Sequence, residues 1–400
     1  MIRLLKILLF LLVVISCKNQ SNSPGIEKNL THYIIPVDTP SAEPYLFTSD
    51  SSEVFLSWIE KRKDSSLLKF STLKNDQWSK PTVIASGDSW FVNWADYPIV
   101  TVNGNTMLSH FLEKSEKGTY TYDVKFTISS DQGKNWSDPK ILHDDGMKAE
   151  HGFVSMIPYG DSFFVSWLDG RNAVSEGSGH EEGHHGAMTL RAAIINKQGV
   201  KTAEWELDQR VCDCCQTSVA NTKNGPVVIY RDRTDEEIRD ISIVRYDNGK
   251  WTSPKPIYDD QWKIDGCPVN GPRADALGNN LVVAWFSSPE NRAGVNVVFS
   301  DDGGVNFTPP IKIDEGNAIG RVDVAMISDK SAIVSWMEGA VIKAARVYSD
   351  GKKDPAIIVT STSSARSSGF PQMTKWGDKM IFAWTDDKEK KIKVASISTF

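Results

Sequence analysis

Short apolar strands that end in an aromatic residue or histidine, each followed by polar or acidic residues, recur at roughly 50-residue intervals along this chain. The seven copies read VFLSWIE (Trp58), TMLSHFLEK (His110 in the aromatic slot), FFVSWLDGR (Trp167), PVVIYRDR (Tyr230), LVVAWFSS (Trp285), AIVSWMEG (Trp336) and MIFAWTDD (Trp384). One strand precedes each copy, and another follows it, such as LLKFST, VKFTIS or LRAAII. A fourth usually comes next, marked by W(S/T)xP or a relative, as in QWSKPTVI and NWSDPKIL. Strand alternation without a long helical period predicts an all-β chain, in which no unit buries its apolar face alone and neighbours must stack radially. The expected fold is a single β-propeller of seven four-stranded blades, with a six-bladed ring as the alternative.

The seventh copy reaches Phe400 after its third strand. The segment THYIIPV, Thr31–Val37, is expected to supply the missing outer strand and leave no open sheet edge. Residues 31–400 are therefore read as one propeller domain.

Two strand connections carry a sharper signature. Ser129–Trp136 reads SSDQGKNW and Ser300–Phe307 reads SDDGGVNF, both fitting S-x-D-x-G-x-x-(W/F). This pattern resembles the Asp box, or BNR repeat, of the sialidase-like superfamily. The aspartate and glycine suit a tight turn between third and fourth strands, with the aromatic folding back onto the blade. The resemblance implies a propeller whose binding mouth lies on the face opposite these turns.

Loops that start the inner strands converge on that mouth, together with loops joining second to third strands. The repeat register places Asp96, His151, Cys215, Asn270, Arg321 and Gly369 near the inner-strand starts of blades two to seven. Cys212, Cys214 and Cys267 fall just before the starts of blades four and five. Blade three adds Asp169, Arg171, His180, Glu181, Glu182, His184 and His185, and blade four adds Arg231, Asp232, Arg233, Asp235 and Glu236.

Of five cysteines, three stand in QRVCDCCQTSVA. The four cysteines of the propeller allow two disulfides in three pairings. They equally allow a thiolate or thiolate–imidazole site for copper or zinc, drawing on Cys212, Cys214, Cys215 and Cys267 with His151 or His184. The loop sequence HEEGHH is not the helical H-E-x-x-H of zinc proteases.

The sialidase resemblance implies three arginines clamping a carboxylate, a tyrosine–glutamate nucleophile pair and an acid/base aspartate. A guanidinium fork matches a carboxylate, and Arg171, Arg231, Arg273 and Arg321, with Asp96 and Asp169, are the ligand-binding candidates. Arg366 lies near the start of blade seven. The first propeller strand, EPYLFTS, lacks the arginine expected there, Tyr230 fills a blade slot, and no catalytic residue is assigned. The expected function is ligand binding at the mouth, through a soft metal or a small ligand or glycan. The alternatives are an exo-sialidase or other glycoside hydrolase, and a structural propeller in an envelope protein assembly.

Arg3 and Lys6 precede the apolar run Ile7–Ile15 and Cys17, a secretory pattern that resembles the bacterial lipobox. Residues 1–16 are read as a lipoprotein signal peptide, Cys17 as the lipidated residue, and 17–30 as a flexible tether. The expected location is the cell envelope, lipid-anchored outside the cytoplasmic membrane. Net charge is −6 with scattered lysines and arginines, which argues against a nucleic-acid surface.

Overall fold

A computed structural model describes residues 30–173 and 186–398. These residues form seven sheets in a closed ring, with two short 3-10 turns, Pro289–Asn291 and Arg366–Ser368, as the only helical segments among them. The inner strands are Ser41–Thr48, Val100–Asn103, His151–Tyr159, Ser218–Thr222, Arg273–Leu277, Ala318–Ser328 and Gln372–Trp376. Each packs against the inner strand of the next blade, and Gln372–Trp376 closes the ring against Ser41–Thr48. Seven blades are present. The ring is sealed as expected, with Thr31–Tyr33 pairing antiparallel to Val394–Ser396 at the outer edge of blade seven. Ile35 and Val37 follow this strand into the core between blades seven and one.

The second-strand aromatics explain the regularity. Trp58, Trp167, Tyr230, Trp285, Trp336 and Trp384 are all buried between blades, and so is His110 in the equivalent slot. A buried indole N–H needs an acceptor. Trp58 donates to Glu60, Trp167 to Asp169 and Trp336 to Glu338, in each case two residues on. Lys69, Arg171 and Lys343 in turn neutralise those acids at 2.6–2.8 Å. The W-x-(D/E) pattern visible in the sequence is thus a polar rivet of the fold.

Both Asp boxes form the same turn. Ser129 Oγ donates to Asp131 and accepts from the Gly133 N–H, while Asn135 bonds Asp131 through backbone and side chain. Ser300, Asp302, Gly304 and Asn306 repeat these contacts. Gly133 has φ +80, and a Cβ there would lie 2.5 Å from Phe70 Cζ, so the box glycine meets both a left-handed backbone and a packed neighbour.

Candidate functional site

At the mouth, polar side chains from one inner-strand start bind the backbone of the next. Asp96 accepts from Phe153 N, Gln216 Oε1 from Gly271 N, and Asn270 Oδ1 from Arg321 N. The approach is close: a Cβ on Gly152 would lie 2.1 Å from Asp96 Oδ2. Burial pushes the Asp96 carboxyl up to about 7, against the one backbone N–H that favours its charge. Inner strands one, three and six also carry bulges, where Glu43, Phe153 and Arg321 take positive φ and the register slips.

These contacts decide what the predicted arginines do. Arg231 is buried, with its guanidinium donating to the carbonyls of Asn270, Arg239 and Phe286 and stacking on Trp262. Arg321 is buried as well and donates to Ser368 Oγ and the carbonyls of Ser364, Ala365 and Gly369, beneath Trp94. Burial lowers its pKa to about 10. Arg273 lies over the Tyr97 ring, and Arg171 is held by Asp169 and Asp145. Arg231 and Arg171 have separate partners, while Arg273 and Arg321 lie over the two ends of one aromatic row, Tyr97, Phe370 and Trp94. Each donor set described for Arg231 and Arg321 ties loops of adjacent blades together.

The thiols do converge. Cys212 and Cys215 sulfurs stand 3.5 Å apart and Cys212 and Cys214 4.0 Å apart, with all three within 4.8 Å of one another. Cys267 comes from the next inter-blade loop, is exposed, and lies near enough to Cys214 to shift its titration, though it is not one of the group of three. The hairpin that positions them starts where strand Lys201–Val211 ends, and the Cys212 N–H is fixed on the Arg231 carbonyl. Arg239 Nη1 lies 3.4 Å from Cys212 Sγ and is pinned by Glu237, while Arg233 joins Glu237 to Asp213. Burial alone would raise the Cys212 pKa, but hydrogen bonds from Cys214 and Cys215 and the charges of Arg239 and Arg231 hold it well below the usual thiol range. Cys215 is raised, first by burial and then by its hydrogen bond with Cys212. Cys267 is lowered as well, first by its interaction with Cys214, so acidified and raised thiols stand side by side in the cluster.

His151, expected beside the thiols, has other partners. Its Nε2 is 2.9 Å from Asp145 Oδ2 and 3.6 Å from Asp169 Oδ1, and its ring stacks on His143 at 3.6 Å. It is the first residue of its inner strand, and its side-chain partners come from the loop between blades two and three and from blade three. His184 and the rest of 174–185 lie outside the described residues, as does Cys17.

A tyrosine–glutamate pair is present. Tyr122 donates to Glu150 at 2.7 Å, with Tyr122 buried and stacked on Phe91. Burial raises Glu150 to about 8. Neither Arg231 nor Arg321 contacts this pair, so the three-arginine arrangement is not assembled around it among the described residues.

Sequence reasoning missed Arg239, Glu237, Asp213, Tyr122, Glu150, His143 and Asp145. The His143–Asp145 stretch, HDD, sits in the loop leading to an inner strand, the location that signalled the other candidates. Arg239 carried no such signal, since its role follows from the fold of the blade-four loop. A groove of about 530 Å³ also opens on the rim between Pro309–Lys312 and Ser349–Gly351, remote from all these residues.

Comparison with solved structures yields low identity and shared architecture. Polysaccharide lyase Uly1 matches with a TM-score of 0.52 at 8% identity, covering 95% of this chain and 94% of its own. The phage phi92 endosialidase matches at 0.51 and 10%, covering 93% and 69%. The Hadza microbial sialidase Hz136 matches at 0.44 and 14%, covering 74% of this chain and 63% of its own, so this chain spans under two thirds of that enzyme. No curated protein sequence matches. A sequence profile described as the BNR repeat-like domain matches residues 60–383, in accord with the two Asp boxes and the seven blades, and the chain belongs to the BNR repeat-like domain family.

Proposed function

We propose that this chain is a metal-binding propeller whose mouth holds a soft ion, Cu(I) in preference to zinc, through Cys212, Cys214, Cys215 and Cys267. The carrying observation is the convergence of three sulfurs within 4.8 Å, with the exposed Cys267 of the next loop beside Cys214. Donors at about 2.3 Å from one ion stand roughly 3.8–4.0 Å apart in tetrahedral or trigonal sites. The separations of 3.5 and 4.0 Å bracket that span. Arg239 and Arg231 offset the negative charge that several thiolates around a monovalent ion retain. All-sulfur donors without an imidazole favour the softer ion. The apolar run Ile7–Ile15 with Cys17 supports a lipid anchor that places this mouth outside the cytoplasmic membrane.

The test is elemental analysis and thiol counting on the full chain purified anaerobically in detergent. Stoichiometric copper that is lost in Cys212→Ser and Cys267→Ser supports the reading. Metal-free protein without free thiols would make the cluster a pair of disulfides instead.

A second reading rests on the Tyr122–Glu150 pair in a fold shared with an endosialidase and a polysaccharide lyase: glycan processing at the same mouth. Turnover of a sialyl or uronyl glycoside that disappears in Glu150→Gln, with copper absent, would favour it.

A further inference from the structure

An uncommitted guanidinium stands at the start of the inner strand of blade five. Arg273 makes no hydrogen bond or ion pair with any described residue, and its Nη2 is buried without a partner. Arg171, Arg231, Arg233, Arg239 and Arg321 are all spent on carbonyls or carboxylates. A buried donor left unpaired costs the desolvation of that group, and the fold supplies Arg273 with no acceptor to offset it.

Its surroundings are aromatic. The guanidinium carbon lies 5.5 Å from the centre of the Tyr97 ring, and Tyr97 belongs to a row running Trp94, Phe370, Tyr97, Tyr45 with centroids 5.6–6.2 Å apart. Arg321 and Arg366 cover the Trp94 end. At the other end Tyr45 keeps accessible surface, and so do Arg273 and Asp323. Burial nevertheless raises Tyr45 to about 12 and Asp323 to about 6. Groups so surrounded by protein that solvent still reaches them line a recess, and an aromatic recess with a few polar groups is the usual form of a small-molecule site. Tyr97 Oη, like Arg273 Nη2, is buried without a hydrogen-bond partner.

Charge decides what such a recess takes. Asp323, on the inner strand of blade six, feels the charge of Arg273 without pairing with it, and Tyr45 feels both. Val324 N and Met373 N donate to the two Asp323 oxygens, which fixes the carboxylate in place and leaves a further lone pair on each. Asp275 acts on Asp323, and Lys375 on Asp275, so two carboxylates match two cations. An anionic ligand would gain Arg273 but meet Asp323, and a cation would meet the reverse. A guanidinium only donates and a carboxylate only accepts. A neutral hydroxyl serves both, accepting from Arg273 through a lone pair and donating to Asp323 through its proton. A ring carrying several hydroxyls does this while laying its C–H face on Tyr45, whose π-face is electron-rich.

We propose that Arg273, Asp323 and Tyr45 form a binding site for a neutral saccharide, whose hydroxyls bridge Arg273 to Asp323 at the open end of the aromatic row. No bond is made or broken there. The site is independent of the thiols and of turnover at Glu150, and charge separates its ligand from the acidic glycans of the second reading.

The test is isothermal titration calorimetry on the full chain, in a sugar-free detergent with a chelator present. The probes are neutral hexasaccharides of glucose, galactose, mannose, xylose and arabinose, and two acidic ones, sialyllactose and oligogalacturonate. At least one neutral probe is expected to bind, roughly tenfold or more tighter than either acidic probe. Arg273→Met should weaken that binding by roughly tenfold or more. It should lower the melting temperature far less than Arg321→Met, which removes four hydrogen bonds to the fold. Asp323→Asn should narrow the preference for neutral over acidic probes. Should Asp323→Asn fail to fold, the ranking of probes on the unaltered chain and the Arg273→Met result decide alone. Binding of no neutral probe, tighter binding of an acidic one, unchanged binding in Arg273→Met, or a fall in its melting temperature as large as that of Arg321→Met would overturn the proposal.

Discussion

Replacing Arg321 with methionine separates a ring-holding arginine from a substrate clamp. Methionine keeps much of the length and packing but removes every donor, and it takes the φ of +52 on terms similar to arginine, so backbone strain cancels. Four hydrogen bonds disappear, to Ser368 Oγ and the carbonyls of Gly369, Ser364 and Ala365 at 2.7–3.2 Å. At about 1.5–3 kcal/mol for each bond from a charged donor, the gross loss is at least roughly 6 kcal/mol. Burial of the cation offsets part of this. Its pKa falls from 12.5 to about 10, equivalent to about 3 kcal/mol of desolvation that the variant no longer bears. The net expectation is a destabilisation of about 3 kcal/mol or more, read as a lower midpoint with an unchanged slope in urea denaturation. A change below about 1 kcal/mol would refute the assignment and return Arg321 to the list of ligand-binding residues.

Four further outcomes are expected. Asp96, Glu43 and Glu150 are raised to about 7, 7 and 8 by burial; each holds its proton more tightly folded than unfolded, so their contribution is complete below the ordinary carboxyl range and lost as pH rises to about 8. Urea midpoints should therefore fall between pH 5 and 8, and Asp96→Asn should recover up to about 4 kcal/mol at pH 8; a flat profile would contradict the assignment. Gly133→Ala should cost about 1–3 kcal/mol, and Gly104→Ala, with φ +64 but nothing within 4 Å, only about 1, a ranking thermal melts can check. Deleting residues through Val37 should lower the melting temperature markedly, because it opens the edge at Val394–Ser396 and removes two buried side chains, Ile35 and Val37, at roughly 1.5–3 kcal/mol each; an unchanged melt would mean the ring closes without them. Arg239→Gln should raise the Cys212 pKa toward the ordinary thiol range, seen as a shift of the thiolate absorbance titration to higher pH.

The fold was legible because its physics is periodic. Each blade repeats the aromatic slot, or histidine in blade two, five of them put an acid two residues on and two carry a full Asp box, so the seven copies and the closing strand at Thr31–Tyr33 could be read by register alone. The cysteines were legible for the same reason: register placed Cys212–Cys215 and Cys267 at adjacent blade starts. The arginines were not. Whether a guanidinium at a blade start faces a ligand or a carbonyl depends on the bulges that turn Glu43, Phe153 and Arg321 through positive φ, and nothing in those residue types announces a bulge. His151 was placed correctly along the chain and wrongly in its company, because its direction is set by Asp145, six residues upstream in a loop of no regular period.

The disposition of charge at the mouth argues against carrying over the chemistry of glycan-active propellers on fold alone. A carboxylate clamp needs guanidinium donors free to meet the ligand. Here Arg231 and Arg321 face backbone carbonyls, Arg171 faces Asp169 and Asp145, and Arg239 and Arg233 share Glu237. The groups with uncommitted chemistry are the sulfurs and the Nη2 of Arg273, which is buried without a hydrogen-bond partner. Cys212 is the one strongly acidified thiol. Its sulfur is a donor that a cation satisfies and a sugar does not, and it sits in a loop joining one blade to the next. Metal there would act on the inter-blade joints that the buried arginines already brace, so loading should stiffen the ring as well as fill a site. Hydrogen exchange of the backbone amides of Phe153, Cys212 and Gly271, each bonded across a blade joint, should slow on metal addition; exchange that is unchanged at full loading would separate binding from the architecture that holds it.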